Sequence, residues 1–289
     1  MRHIGLAALV SVLLATSLVA QNNRSAVSIA GSDAAACTVP DPCRTFAVAL
    51  SKTNNDGEVV ALTSGGYGPF IVDRPATIVA APGIYAAIVA TIDAVHVNAG
   101  AGAKVVIRGL YLYGAMGGQR GIAVLDPVDE VDVEHCVISG FQEGIDDTQT
   151  LRISDTTLRF CIIGIRVTNP MNAARATMNR VELRDYGTGI LAAANAIVTV
   201  RDSVASRGSA VGFDAFGGVL NIENCLVVNN VIGVRADQSG TVRVSNTMAT
   251  DNTQTGFTNF SSTFISWGNN KVRGNAAETS GTITVVSQD

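Results

Sequence analysis

Five cysteines, two internal histidines and one dense run of carboxylates are the residues of this chain with the most chemistry to offer. The carboxylates are Asp126, Asp129, Glu130, Asp132 and Glu134, followed by Glu143, Asp146 and Asp147. Paired carboxyl groups can act as the acid and base of a glycosidase. Gathered on one face they can also supply the six to eight oxygens that Ca²⁺ prefers. The adjacent Asp146 and Asp147 are the catalytic candidates on this reading, with Ca²⁺ as the candidate ion. The competing reading is structural, because exposed charges most often serve solubility and pairing. A Cys/His metal site needs clustered ligands, and His96 and His135 stand far apart from each other and from most of the cysteines. Neither histidine has a nucleophile and an orienting acid at recognisable spacing, so no triad is legible. The Gly-rich "TSGGYGPF" (63–70) lacks the Lys-Ser/Thr of a phosphate loop and reads as a turn.

Bulk properties narrow the setting. The chain has 289 residues, 47% hydrophobic and only 15% charged, with 29 glycines. Low charge with abundant Val, Ile, Thr, Asn and Gly favours strands over helices. A net charge of -4 and the absence of any Lys/Arg block exclude an electrostatic footprint for nucleic acid. Residues 1–20 read as a signal peptide: Arg2 and His3 precede the apolar run "IGLAALVSVLLATSLVA", which ends at polar "QNNRS". The run is short for a spanning helix, and nothing later reads as transmembrane, so no membrane span is expected in the mature protein. Export to the periplasm or beyond permits disulfides. Cys37 and Cys43 bracket the turn "TVPDP" and are the expected bridge.

Positioning these residues requires the repeat. The segments "VDVEHCVISGFQEGIDD" (131–147), "LRISDTTLRFCIIGIRV" (151–167), "ATMNRVELRDYGTGILA" (176–192), "VTVRDSVASRGSAVGFDA" (198–215), "LNIENCLVVNNVIGVRA" (220–236) and "VRVSNTMATDNTQTGFTN" (242–259) share one pattern. An alternating strand meets a polar residue, then a second short strand, then Gly-apolar. That glycine falls at 121, 144, 164, 189, 212, 233 and 256. A period of about 22 residues with three short strands suits one coil of a parallel β-helix. A leucine-rich repeat would need a Leu-x-x-Leu-x-Leu skeleton, which is missing.

Aligning the copies gives each column a role. Positions 131/133, 151/153, 176/178, 198/200, 220/222 and 242/244 are almost all apolar and point inward. The column His135, Asp155, Arg180, Asp202, Asn224, Asn246 marks a bend, since Asn and Asp tolerate the left-handed conformation. Outward columns place opposite charges on adjacent coils: Arg108 with Glu134, Asp132 with Arg152, Asp146 with Arg166, Arg201 with Glu223, and Asp214 with Arg235. Strands about 4.8 Å apart would bring each pair together, although such exposed pairs are individually weak. Cys136 and Cys225 share a column but lie about 19 Å apart, too far to bridge. With Cys161 they read as small buried residues. At the front, "CRTFAVALSKT" (43–53) places Phe46, Ala47, Ala49 and Leu50 on one helical face, the expected cap over the open end. Asn229 and Asn230 fall in a connecting stretch with no assigned role.

Taken together, "GSDAAACTVPDPCRTFAVALSKT…GGYGPFIV", "VNAGAGAKVVIRGLYLYG", the coils and "WGNNKVRGN" resemble exported bacterial right-handed parallel β-helix repeat proteins of the pectin-lyase-like superfamily. The resemblance implies right-handed coiling. It carries over no catalytic residue: the Asn-Thr-Asp, Gly-His-Gly and Arg-Ile-Lys motifs of polygalacturonases and the Arg-x-Pro segment of pectate lyases have no counterpart here. The expectation is an all-β, single-domain right-handed parallel β-helix with a short N-terminal capping helix. Residues 21–57 form the cap segment, and 58–289 the solenoid with a closing strand. The expected role is a non-catalytic, monomeric solenoid binding polysaccharide or a cell-surface glycan, without a required cofactor. The alternative is a polysaccharide lyase or glycoside hydrolase acting on an acidic polysaccharide.

Overall fold

Alternation of Val, Leu and Ile with polar residues yields extended segments that bury one side and expose the other. In the computed structural model, which describes residues 21–169 and 171–287, these segments wind into a solenoid of parallel strands. The leader expected over residues 1–20 lies outside the described residues. From Thr150 onward each full coil lays one strand on each of three faces, while in the two coils before it a single long strand, Leu110–Val124 and then Val137–Asp147, runs over the second and third. A central coil runs through Thr150–Ser154 on the first face, Thr157–Arg159 on the second and Ile163–Val167 on the third. The next repeats it as Ala174–Asn179, Glu182–Arg184 and Thr188–Ala192. Among the described residues the first face is a sheet of 12 strands, from Asn22–Val27 to Thr284–Val285.

The register follows the apolar columns. Val131, Leu151, Ala176, Val198, Leu220, Val242 and Phe264 are successive strand partners, and each is almost fully buried. A one-residue slip would turn the whole column outward, so burial locks the pairing.

The first bend lies where the Asn/Asp column predicts it. Asp155, Asp202, Asn224 and Asn246 have φ between 46° and 52°, and His135 and Arg180 adopt the same left-handed backbone at 53°. A second bend, between the second and third faces, is built on Gly140, Phe160, Asp185, Arg207, Asn229 and Asp251, again all with positive φ. Its mixed residue types hide it in the sequence, and it assigns Asn229. The repeated glycine has a different cause, close approach. A Cβ on Gly144, Gly164 or Gly189 would lie 2.5 Å from the carbonyl oxygen of the glycine one coil further on.

Two interior rows satisfy the backbone where the chain turns. The backbone N–H groups of Cys136, Val181 and Cys225 donate to the hydroxyls of Thr156, Ser203 and Thr247 on the next coil. Asn230 is buried in a second row: its N–H donates to Asn252 Oδ1 (3.0 Å), and the Asn252 N–H donates to Asn275 Oδ1 (3.1 Å). Tyr186 donates its hydroxyl proton to Asn230 Oδ1 at 2.7 Å. Such bonds remove the penalty of burying unpaired polar groups.

Helix α1 (Phe46–Ser51) covers the first coils, with Thr45 as N-cap accepting from the Val48 N–H. Phe46 packs on Phe70 and Tyr67, with ring centroids 4.8 and 5.3 Å away. Ala47, expected on the buried face, is exposed, because only Phe46, Ala49 and Leu50 point inward in so short a helix. Cys37 and Cys43 form the expected disulfide, and Cys136, Cys161 and Cys225 are free and buried.

Candidate functional site

The two side chains of the acidic doublet point in opposite directions. On the third face, Asp146 stands beside Ala123 and Arg166 in the column that faces away from the core, yet only 5% of it is exposed. Asp147 follows in the inward column between Val124 and Val167, with no exposed surface. Period-two alternation makes this unavoidable. Asp147 Oδ1 accepts from the Gln149 N–H at 3.0 Å, while Oδ2 has no hydrogen-bond partner among the described residues. Burial drives the Asp147 pKa up to about 7; the Gln149 N–H opposes the shift and the neighbouring Asp146 charge adds to it.

Asp146 belongs to a larger network. Asp93, Arg120 and Glu143 are partners in one column over three coils. Arg120 donates to both carboxylate oxygens of Asp93 (2.8 and 3.3 Å) and lies 3.8 Å from Asp146. Arg166, expected to pair with Asp146, instead donates to Glu143 at 2.7 Å. The pKa of Asp146 is raised, first by burial and then by the charge and hydrogen bond of Glu143, against the opposing pull of Arg166 and Arg120. Asp147 has no exposed surface and Asp146 only 5%, so the doublet does not open onto a cleft where a sugar ring and an attacking water could reach both. His96 is held on both sides, Nδ1 3.2 Å from Asp93 and Nε2 2.6 Å from Asp126. Burial opposes its protonation, but the bonds to Asp126 and Asp93 outweigh it and raise the pKa. With both ring nitrogens held by carboxylates, His96 is no free base. Among the described residues no three His, Cys, Asp or Glu side chains form a metal-binding group.

Of the five expected charge ladders, Arg108–Glu134 and Asp214–Arg235 form, each at 2.6 Å. Arg201 turns to Asp202 (3.1 Å) rather than to its register neighbour Glu223. Arg152 binds Glu130 at 2.7 Å and reaches Asp132 only at 4.0 Å. Register brings the strands together, but a long arginine side chain can select a carboxylate one step aside.

The first face carries a different kind of surface. Two shallow cavities lie along it, of about 410 and 470 Å³. The former is bounded by Asp132, Glu134, Arg152 and Arg201, and the latter by Thr199, Asn221, Arg243 and Trp267. Asn221 donates to Thr199 (3.4 Å) and accepts from Arg243 (3.3 Å), so hydrogen-bonding groups follow one another at coil spacing. Sequence reasoning missed Trp267 as a wall of this groove, because it follows the last complete copy of the repeat. It also missed Asp93 and Arg120 and set His96 aside; carrying the columns of Glu143 and Asp146 back two coils would have joined all three to the site.

The right-handed β-helix region model matches residues 92–289, and the chain belongs to this family. Among solved structures, pectate lyase Pel9A superimposes with a TM-score of 0.53 at 14% identity, covering 93% of this chain and 78% of that one. The complex of XylC with xylose does so with a TM-score of 0.55 at 10% identity, covering 86% and 70%. At such identities the likeness establishes the pectin-lyase-like fold. No curated protein matches the sequence. Among the described residues, no helix is long and apolar enough to cross a membrane.

Proposed function

We propose that this protein is an exported, monomeric glycan-binding solenoid that holds polysaccharide along its first face without cleaving it. The observation that carries the reading is the pair of cavities along the first face, where hydroxyl, amide and guanidinium groups recur coil by coil and Trp267 lines the second. A chain of sugar rings presents hydroxyls at a similarly regular interval, and aromatic rings with a few placed polar groups are suited to it. The pectate lyase and the xylose complex that share the fold support a saccharide as the partner. Export is supported by the leader over residues 1–20 and by the Cys37–Cys43 disulfide.

The test is retention of the purified mature protein on immobilised acidic and neutral polysaccharides, with and without Ca²⁺, alongside an assay for released products. Retention without product is expected, and Trp267→Ala should weaken it. A second reading, cleavage at the third face, draws on Glu143, which lines a cavity of about 300 Å³ with Arg120 and stands close to Asp146. Product release abolished by Glu143→Gln and Asp146→Asn would establish that reading in place of the first.

A further inference from the structure

The five tyrosines fall into two groups. Tyr67 and Tyr186 are each 4% exposed, and their hydroxyls donate to the Thr63 carbonyl oxygen at 2.6 Å and to Asn230 Oδ1 at 2.7 Å. Tyr85, Tyr111 and Tyr113 are 51%, 37% and 55% exposed. Their hydroxyls have no hydrogen-bond partner among the described residues. A buried, hydrogen-bonded phenol is shielded from a reagent in solution and cannot turn. The three exposed phenols are reachable and free to move.

Of these three, two meet. Tyr85 directly precedes the strand Ala86–Ala90, and Tyr111 lies on the next coil as the partner of Ala87. That offset of two residues makes them diagonal neighbours, a separation that aromatic side chains span. Their ring centroids are 4.4 Å apart and their planes are tilted by 49°. Among the described residues no other two tyrosine rings are in contact. Tyr113 has Val89 and Ser139 as its strand partners instead. The Tyr85–Tyr111 pair lines a cleft of about 450 Å³ at the bend between the first and second faces, which gives the rings room to swing. His135 lines the same cleft and is exposed, with ring nitrogens unbonded among the described residues, so a proton acceptor is at hand.

We infer that Tyr85 and Tyr111 form an oxidative modification site, where the two rings couple to each other as dityrosine. The oxidant is hydrogen peroxide acting through a peroxidase, which withdraws one electron at a time. Each phenol loses its hydroxyl hydrogen as one electron and one proton. The two radicals then join through their ortho carbons, forming one carbon–carbon bond. The ortho hydrogens pass as protons to the phenolic oxygens, and both rings become aromatic again. One peroxide takes up the two electrons and two protons and leaves as two waters. The bond ties together residues 26 apart in the chain and so closes one coil covalently. A closed loop restricts the unfolded chain more than the folded one, and the first coils are strengthened.

The experiment treats the purified mature protein, dilute enough to disfavour contacts between chains, with a peroxidase and hydrogen peroxide. Dityrosine fluorescence should appear in the monomer, and proteolytic mapping should join the peptide carrying Tyr85 to the one carrying Tyr111, lighter by two hydrogen atoms. Tyr85→Phe and Tyr111→Phe should each abolish this product, whereas Tyr113→Phe should leave it. Phenylalanine keeps the ring, so the untreated variants should unfold at the temperature of the untreated parent. The treated parent should melt roughly 5 °C higher than before treatment, a gain that neither the Tyr85 nor the Tyr111 variant shows. The inference is overturned by a product that maps to Tyr113 or survives Tyr85→Phe. It is equally overturned by links that form only between chains, or by no link at all under conditions in which the same peroxidase couples free tyrosine.

Discussion

Residues 143–147 and Thr188–Ala192 occupy the same place on the third face, two coils apart. One reads Glu-Gly-Ile-Asp-Asp and the other Thr-Gly-Ile-Leu-Ala. Both keep the glycine against the neighbouring backbone and the isoleucine in the core. They differ where the coil makes weaker demands. Leu191 replaces Asp146 in the outward column, and Ala192 replaces Asp147 inside. Backbone approach thus dictates one position absolutely, whereas a neighbouring inward position accepts a carboxylate at a pH-dependent cost.

Breaking the shared feature should have the largest effect. Gly144→Val and Gly189→Val each force a side chain onto a carbonyl oxygen and should cost roughly 4 kcal/mol or more. Urea denaturation should show similar losses for both, and a tolerated valine at either site would show that the coils are not held by this contact.

Next comes the feature that separates the stretches. With its folded-state pKa raised, Asp147 binds its proton more tightly in the folded chain than in the unfolded one. Its cost is therefore absent below the unfolded carboxylate pKa, about 4, and complete above about 7. Asp147→Val, matching Val124 and Val167 in its column, should stabilise the protein by roughly 3 kcal/mol at pH 8 and far less at pH 4. The reciprocal Ala192→Asp should destabilise with the same pH profile. Thermal unfolding across this range measures both, and a pH-independent gain for Asp147→Val would refute the buried-charge account.

A smaller effect is expected from the network around the first stretch. Arg120→Met leaves Asp93 and Asp146 without their shared guanidinium and should cost about 2 kcal/mol at neutral pH. The loss should shrink on acidification as the carboxyl groups become protonated. The smallest change should follow Arg207→Ala, which removes only the exposed bidentate pair with Asp185 and should leave the denaturation midpoint in place. A large loss there would mean that the bend needs its charge pair.

The sites were less legible in the sequence than the coils. The period, the inward columns, the first bend and the Cys37–Cys43 bridge could be read because each rests on local constraints: alternation, left-handed backbone tolerance and a short turn. The partners of Asp146 could not. Register puts Arg166 beside it, yet the nearer contact runs to Arg120 on the preceding coil, while Arg166 takes Glu143. Asn230 carried no local signature that could be read, because all but one of its hydrogen bonds run to other coils, among them those at Tyr186 and Asn252.

By itself, then, the sequence determined that this chain coils, with what period and with which edge inward, since those follow from the chemistry of each residue and its near neighbours. The direction taken by each long side chain was decided only in three dimensions. So was the meeting of Tyr85, Tyr111 and His135, which lie 26 and 24 residues apart in the chain and form one cleft. Stacking places residues one coil apart within a strand spacing of about 4.8 Å, and at that distance side-chain length and local charge, rather than sequence separation, select the partner.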